Sequence, residues 1–184
     1  MTRPHPTLLI TLIVGAAFLA LLGALALGLQ RGVGSTAQGR SDAALTSAPP
    51  FTLTSFSGEP FDFERENQGP VFIYFWASWC IPCQQEAPII EALWQEYRQR
   101  GYAFVGVNIW ESPKDAREFA KQYRLSFPLV ADEAGLVYIE YGVQGLPTAF
   151  FVEAGGRVRS QYSGPLDEPT LRNLLDEIAP GGRS

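Results

Sequence analysis

The stretch VFIYFWASWCIPC, residues 71–83, decides the fold of this chain. It begins with a continuous apolar run, Val71 to Trp76, which is typical of a buried central strand. It ends with Cys80 and Cys83, the only two cysteines among 184 residues. Two thiols three positions apart can exchange electrons as a dithiol/disulfide pair. Because the pair follows the apolar run directly, we expect it at a turn from a strand into a helix.

Other roles for two cysteines fit this sequence less well. A structural zinc site needs four ligands, usually Cys or His, and His5 is the only histidine. Covalent haem attachment needs a His directly after the second Cys, where this chain has Gln84. A structural disulfide across so few residues stabilises little, because the loop-closure term grows with loop length. A Cys–His or Ser–His–Asp hydrolase needs an imidazole base within the folded domain. The only histidine, His5, precedes the apolar run at residues 8–29, so the sequence excludes both hydrolase types. We therefore interpret the pair as redox-active, with no metal and no cofactor.

The N-terminal part of the chain carries the second strong pattern. Residues 8–29 are uncharged and almost entirely apolar. A helix of that length rises about 33 Å, enough to cross a hydrocarbon core of about 30 Å. The run exceeds the usual apolar region of a secretory signal peptide, so it predicts an uncleaved signal anchor over residues 1–30. A signal peptide cleaved after Ala26 is the alternative. Both interpretations place the following domain outside the cytoplasm, where disulfides persist.

The rest of the chain divides into a linker, one domain and a short tail. Residues 31–48 are rich in Gly, Ser, Thr and Ala, a composition that predicts a flexible linker. Pro49-Pro50 marks the start of a domain over residues 49–180. Residues 181–184 are expected to form a disordered tail. The net charge of −5 gives a nucleic-acid partner no electrostatic support.

Within residues 49–180 the pattern alternates between strands and helices. Strands are predicted at 51–54, 61–63, 71–76, 103–107, 128–131, 149–152 and 158–162. Helices are predicted after Cys80, from Pro113 with Ser112 as its cap, over 136–141, and after the cap Asp167. This alternation predicts an α/β fold with a mixed central sheet.

Several of these residues resemble a known fold family. VFIYFWASWCIPC is similar to the strand–turn–helix of thioredoxin-like proteins, and Pro88 matches the proline of their helix. Gly145-Leu146-Pro147-Thr148 resembles their cis-proline loop. The resemblance implies a thioredoxin-like fold, in which a central mixed β-sheet is flanked by helices and here follows an N-terminal transmembrane helix.

A narrower resemblance is to the membrane-anchored TlpA/ResA/DsbE type, thiol-disulfide oxidoreductases of bacterial cytochrome c maturation. Glu86 stands three positions after the second cysteine, and residues 107–112 resemble the stretch after the next strand of those proteins. Residues 113–131 fill the place of their characteristic insertion. Cytosolic thioredoxins carry a buried Asp six positions before the first cysteine, where this chain has Tyr74. The resemblance therefore assigns the role of internal proton acceptor to Glu86 and not to Tyr74.

The cysteines differ in their expected roles. Cys80 at a helix N-terminus faces free N–H groups and the positive end of the dipole, which stabilise a thiolate. We expect Cys80 to be the exposed nucleophile and Cys83, one turn further in, to be the shielded resolving thiol. Glu86 shares a helix face with Cys83 and is expected to manage the proton of that thiol. The alternative for Glu86 is a solvated carboxylate favoured by the helix dipole.

Supporting residues are expected around this pair. Trp79 is interpreted as an apolar cover over the site or as a core residue. Pro82 shapes the turn between the cysteines. Pro147 is predicted to be cis, which leaves the Leu146 backbone free to pair with an extended substrate segment; an ordinary trans proline is the alternative. Trp94 and Trp110 are assigned to packing in the core or at the surface, without a further role.

The leading functional hypothesis is a membrane-tethered, monomeric reductase of extracytoplasmic protein disulfides. Apocytochrome c is one candidate substrate, and a transmembrane electron donor is required in a compartment that oxidises thiols. The alternatives are a net oxidant that forms disulfides, a peroxide-reducing redoxin and a non-enzymatic copper(I) chaperone that binds metal through both thiolates. The reduction potential distinguishes the first two.

Overall fold

The computed structural model describes residues 14–24, 39–41 and 45–179. Residues 14–24 form helix α1, whose large apolar side chains are exposed. No helix within the described ranges combines the length and apolarity needed to span a bilayer. Three predicted segments lie wholly or partly outside the described residues. These are both ends of the anchor, much of the linker, and the tail.

An eight-stranded mixed sheet forms the centre of the described domain. Its strand order is β1-β8-β7-β4-β5-β6-β2-β3. β4 pairs in parallel with β5, and β5 with β6, while the other neighbours are antiparallel. The strands are β1 (Gly39–Ser41), β2 (Thr52–Ser55), β3 (Pro60–Asp62), β4 (Val71–Trp76), β5 (Ala103–Ile109), β6 (Leu129–Asp132), β7 (Thr148–Val152) and β8 (Val158–Ser163).

The helices begin and end largely where their capping residues predict. They are α2 (Phe63–Glu66), α3 (Ile81–Tyr97), α4 (Pro113–Tyr123), α5 (Leu136–Glu140) and α6 (Glu168–Glu177). Ser112 caps α4 by accepting from the backbone N–H groups of its first turn, and Asp167 caps α6 in the same way. After α3, a 3₁₀ turn ends at Gly101, whose φ of 84° is a left-handed conformation that glycine adopts readily.

Strand β4 separates two apolar cores. Phe72, Tyr74 and Trp76 face the cluster that contains residues of α3 and α6. Ile73 and Phe75 face the opposite cluster, which includes residues of α5. Every residue of β4 is buried, as the continuous apolar run predicts for a central strand covered on both faces.

The structured domain differs from the predicted boundaries at its N-terminal side. The predicted linker includes β1, which pairs antiparallel with β8. Ser47 forms a bridge with Arg157, and the backbone N–H of Ala48 donates to Gly156 O at 2.8 Å. Backbone pairing at a sheet edge needs no apolar side chains, so composition alone did not reveal these segments. The short helix α2 was also not predicted.

Candidate active site

Cys80 lies at the carboxyl end of β4 and caps the N-terminus of α3. Its backbone is extended, with φ −79° and ψ 104°, and its Sγ accepts a hydrogen bond from the Cys83 backbone N–H at 3.2 Å. Cys80 and Cys83 are joined in a disulfide, with their Cα atoms 5.2 Å apart. Pro82 occupies the first turn of α3, where its missing N–H has no intrahelical acceptor to lose. The strand–turn–helix order thus places the Cys80 sulfur at the N-terminus of α3, where one backbone N–H donates to it.

The two cysteines differ in accessibility less than the sequence predicts. Cys80 is 5% exposed and Cys83 is fully buried. Cys80 is therefore the more accessible of the two, although it is not an open surface thiol. Both belong to the core cluster on the α3 side of the sheet, and this packing covers most of Cys80.

Glu86 is buried within the core and is not a solvated first-turn carboxylate. It is 1% exposed. Its Oε1 accepts a hydrogen bond from the Tyr74 hydroxyl at 2.7 Å, and its Oε2 accepts one from the Leu166 backbone N–H at 2.7 Å. Both oxygens are therefore held by donors from outside α3, and the solvated alternative is wrong.

Burial sets the proton affinity of this carboxyl group. Desolvation raises the pKa of Glu86 from 4.5 to about 7, although the hydrogen bonds from Leu166 and Tyr74 lower it. Burial, together with the neighbouring Glu86 carboxylate, raises the pKa of Tyr74 well above 10. The Tyr74 hydroxyl therefore remains a proton donor at neutral pH. One turn from Cys83, the site holds a carboxyl group that titrates in the physiological range.

Glu111 holds the loop before Cys80, a role that was not predicted. The Ser78 backbone N–H donates to Glu111 Oε1 at 2.8 Å, and the Ser78 hydroxyl and Asn108 amide also donate to this carboxylate. Gln84 Nε2 donates to Ser78 O at 2.9 Å from the other side. The parallel pairing of β4 and β5 places Glu111 at the same sheet edge as Cys80. That pairing, combined with the family-like stretch at 107–112, is the signal that could have revealed it.

The loop around Pro147 lies at the same end of the sheet. The antiparallel register pairs Thr148 with Phe75, near the end of β4. The Leu146–Pro147 peptide bond is cis, so the trans alternative is wrong. Pro147 O accepts a hydrogen bond from the Gly164 N–H at 2.9 Å, whereas Leu146 makes no backbone hydrogen bond within the described part of the chain.

The exposed large apolar side chains of residues 45–179 follow the ends of three parallel strands. They are Trp79, Ile81, Trp110, Leu136 and Ile139, which we call the apolar rim. Trp79 and Ile81 follow β4, Trp110 follows β5, and the last two lie on α5 after β6. The carboxyl ends of parallel strands lie at the same end of a sheet. The apolar rim therefore lies at the end of the sheet that carries the disulfide.

Both tryptophans of the rim are largely exposed. Trp79 is 56% exposed, so the interpretation as a core residue is wrong. Trp110 is 53% exposed and has a φ of 52°, a left-handed conformation that is uncommon for a bulky residue. Its ring packs on Tyr138 with centroids 4.6 Å apart, and a Cβ on Gly135 would collide with its indole nitrogen. Trp94 packs against Phe104, as predicted.

Comparisons with known proteins agree with this geometry. The model of the AhpC/TSA family matches residues 45–161. The thiol-disulfide oxidoreductase ResA of Bacillus thuringiensis is 32% identical over 133 residues, which cover 72% of this chain and 77% of that relative.

Solved structures give the same result for the fold. A Chlorobium tepidum protein, proposed to be a thiol:disulfide interchange protein DsbE, is 30% identical with a TM-score of 0.69 and covers 79% of this chain and 100% of its own. A secreted Mycobacterium tuberculosis disulfide oxidoreductase homologous to E. coli DsbE is 26% identical with a TM-score of 0.64, covering 68% of this chain and 93% of its own. These similarities confirm the predicted thioredoxin-like α/β fold. The chain belongs to the AhpC/TSA family, and it is a thiol-disulfide oxidoreductase of the ResA/DsbE type with Cys80 and Cys83 as its redox-active pair.

Proposed function

We propose that this protein is a membrane-tethered reductase of extracytoplasmic protein disulfides, in which Cys80 attacks and Cys83 resolves. The observation that carries the proposal is the placement of Cys80 at the N-terminus of α3, with the buried, titratable Glu86 on the same helix. A helix N-terminus supplies thiolate stabilisation without a metal or a cofactor. A fall of the thiol pKa from about 8.5 to about 7 corresponds to about 2 kcal/mol of preferential stabilisation of the anion.

The reaction transfers two electrons from the dithiol to the substrate in two exchanges. In the first, the Cys80 thiolate attacks a substrate sulfur, a Cys80–substrate disulfide forms, and the other substrate sulfur leaves as a thiolate. In the second, the Cys83 thiolate attacks Cys80 Sγ, so that the Cys80–Cys83 disulfide forms and the remaining substrate sulfur leaves as a thiolate. Each released thiolate is then protonated. The product state of the enzyme is the disulfide form present in the structure.

Glu86 is proposed to manage the proton of the second exchange. Cys83 is fully buried and must lose its proton before it can attack. A carboxylate that is three positions further along α3 and titrates at about pH 7 can accept that proton and later return it to the leaving sulfur. The proton acceptor is therefore matched to the working pH.

The proposed compartment and electron supply rest on the sequence. The uncharged run at residues 8–29 favours a membrane tether with the domain on the extracytoplasmic side. A reductase in an oxidising compartment must receive electrons, so we propose a transmembrane electron donor. The family resemblance makes apocytochrome c the candidate substrate.

The apolar rim supports a protein as the substrate. Exposed aromatic and aliphatic side chains around a reactive sulfur can bury area against a folded or extended polypeptide. The free Leu146 backbone beside Pro147 offers donors and acceptors to an extended segment. A small disulfide would use little of this surface.

The reduction potential of the Cys80–Cys83 pair tests the direction of electron flow. A reductase must give up electrons as readily as the dithiol of thioredoxin, whereas the dithiol of DsbA is stabilised and makes that protein a strong oxidant. We expect a potential below about −200 mV, toward the value of about −270 mV for thioredoxin. Equilibration against dithiothreitol or glutathione buffers, followed by alkylation and mass spectrometry, measures it. A value near −120 mV, as in DsbA, would instead establish the net oxidant.

A variant of the apolar rim tests the class of substrate. Replacing Trp110 by Asn and both Leu136 and Ile139 by Ser removes three exposed apolar side chains, and Asn tolerates the left-handed backbone. We expect the reduction of a protein disulfide to slow about tenfold more than that of a small aromatic disulfide, because interface anchors contribute at least about 1–2 kcal/mol. Parallel assays of insulin and of the small disulfide measure this ratio. Equal slowing of both substrates would argue against protein docking at the rim.

A further inference from the structure

We propose that Tyr74 is a positioning residue for Glu86, whose hydroxyl fixes the orientation of the buried carboxylate and favours its anionic form. The proposal rests on the proposed role of Glu86 and deepens it. Cytosolic thioredoxins carry an Asp at the position of Tyr74, so the resemblance to them implies no role for the tyrosine side chain.

The sheet register places the Tyr74 ring on the face of the sheet that packs against α3. The residues paired with Tyr74 are Gly106 on β5 and Ala149 on β7. Side chains of paired residues point to the same face of a sheet, and Tyr74 and Ala149 belong to the cluster that contains residues of α3. The ring also stacks on Phe72, with centroids 6.0 Å apart. These contacts hold the phenol in place, so that its hydroxyl lies 2.7 Å from Glu86 Oε1.

Tyr74 is the one side chain among the described residues that hydrogen-bonds to Glu86. The second donor is the Leu166 backbone N–H, from the connection between β8 and α6. The neighbouring titratable group on α3 itself is Cys83. The Leu166 donor belongs to the main chain and cannot change with the side chain at its position. The hydroxyl of Tyr74 is therefore the adjustable part of the environment of Glu86.

The hydroxyl and the burial of Glu86 act in opposite directions. Burial disfavours the carboxylate, whereas an O–H donor favours it. Because Tyr74 keeps its proton far above neutral pH, the donor is present throughout the working range. Without it, Glu86 would hold its proton to a higher pH and fewer molecules would carry the base that Cys83 needs.

The test is a Tyr74→Phe substitution in the full chain, studied first in the disulfide form, in which the cysteines do not titrate. Carboxyl ¹³C NMR follows Glu86, and its signal is identified by its loss in Glu86→Gln. We expect the midpoint of Glu86 to rise by about one pH unit, which corresponds to about 1.4 kcal/mol, the size of a charge-assisted hydrogen bond. In the reduced enzyme, the pH profile of substrate reduction should shift upward by a similar amount.

Tyr102→Phe is the matched control. It removes another buried hydroxyl, which donates to Leu175 O at 3.0 Å and does not touch Glu86. It should leave the midpoint of Glu86 unchanged. If Tyr74→Phe does not fold, site-specific incorporation of 3-fluorotyrosine at position 74 supplies a stronger donor, which should lower the midpoint.

The outcomes separate this proposal from the proposed function. If neither Tyr74→Phe nor 3-fluorotyrosine at position 74 changes the titration midpoint of Glu86, the positioning role of Tyr74 is overturned. A midpoint that Tyr74→Phe raises, together with a Glu86→Gln enzyme whose pH profile equals that of the wild type, keeps the positioning role and overturns the proton-transfer role of Glu86.

Discussion

A Cys83→Ser variant is expected to accumulate a covalent complex between Cys80 and its substrate protein, and a Cys80→Ser variant is expected to accumulate none. Of the two cysteines, only Cys80 has exposed surface, so an incoming disulfide can reach it first. The N-terminus of α3 stabilises the Cys80 thiolate whether position 83 is Cys or Ser. Without Cys83, no internal thiolate can attack the mixed disulfide, and turnover stops after one exchange. Both variants should therefore lose catalytic turnover, but for different reasons.

Purification of Cys83→Ser under non-reducing conditions, followed by electrophoresis and mass spectrometry, measures the trapped complexes. Dithiothreitol should release the bound proteins, and a Cys80→Ser/Cys83→Ser double variant supplies the background. The trapped proteins identify the substrates directly, including apocytochrome c if it is among them. Trapping by Cys80→Ser and not by Cys83→Ser would reverse the assigned roles.

Local patterns predicted the elements of the fold because each depends on neighbouring residues. The apolar run of β4, the capping residues Ser112 and Asp167, and the glycine that ends the 3₁₀ turn after α3 are readable over a few positions. The position of the cysteines between a strand and a helix follows from the same local pattern. The strands predicted at 51–54 and 61–63 are likewise present, as the antiparallel pair β2 and β3.

Contacts between distant elements could not be predicted in the same way. The Tyr74–Glu86 contact joins a strand and a helix, and β4 is apolar on both faces, so no alternation shows which residues face α3. The contact of Glu111 with Ser78 depends on the parallel register of β4 and β5. The exposure of Trp79 also depends on the surrounding fold, since an apolar residue beside a buried turn is compatible with either location.

A Glu86→Gln variant is expected to be more stable than the wild type at pH 8 and to lose the dependence of stability on pH that this carboxyl group causes. Glu86 titrates near 4.5 when unfolded and at about 7 in the fold. Between these values the folded state binds a proton that the unfolded state has released, so stability falls as the pH rises. The contribution of Glu86 is complete below about pH 4.5 and is lost as the pH passes through about 7. Over that window the loss amounts to roughly 3 kcal/mol.

Glutamine can contact the same two partners without a charge, although the Tyr74 hydroxyl then accepts where it donates in the wild type. Its amide oxygen can accept from the Leu166 N–H, and its NH₂ group can donate to the Tyr74 oxygen, because a hydroxyl both donates and accepts. The variant should therefore match the protonated wild type near pH 4.5 and exceed it at pH 8. With about 2–4 °C per kcal/mol for a domain of this size, the melting temperature at pH 8 should rise by about 6–12 °C.

Thermal unfolding of the disulfide form at several pH values measures this difference, and Glu118→Gln is its matched control. Glu118 is an exposed residue of α4, so the same chemical change there should alter stability little at any pH. A difference between Glu86→Gln and the wild type that is equal at pH 5 and pH 8 would contradict the buried titration of Glu86.

The gain in stability should come with a loss of function. A carboxylate that weakens the fold at neutral pH is expected where its titration is used. Glu86→Gln keeps the volume and can still contact Leu166 and Tyr74, but it cannot accept the proton of Cys83. We therefore expect the resolving step to slow, and the dependence of turnover on a group titrating near pH 7 to disappear, while the first attack by Cys80 remains. Stopped-flow measurement of both exchanges across pH 5–9 separates the two steps. A resolving rate that is the same in Glu86→Gln and in the wild type would contradict the proton-transfer role of Glu86.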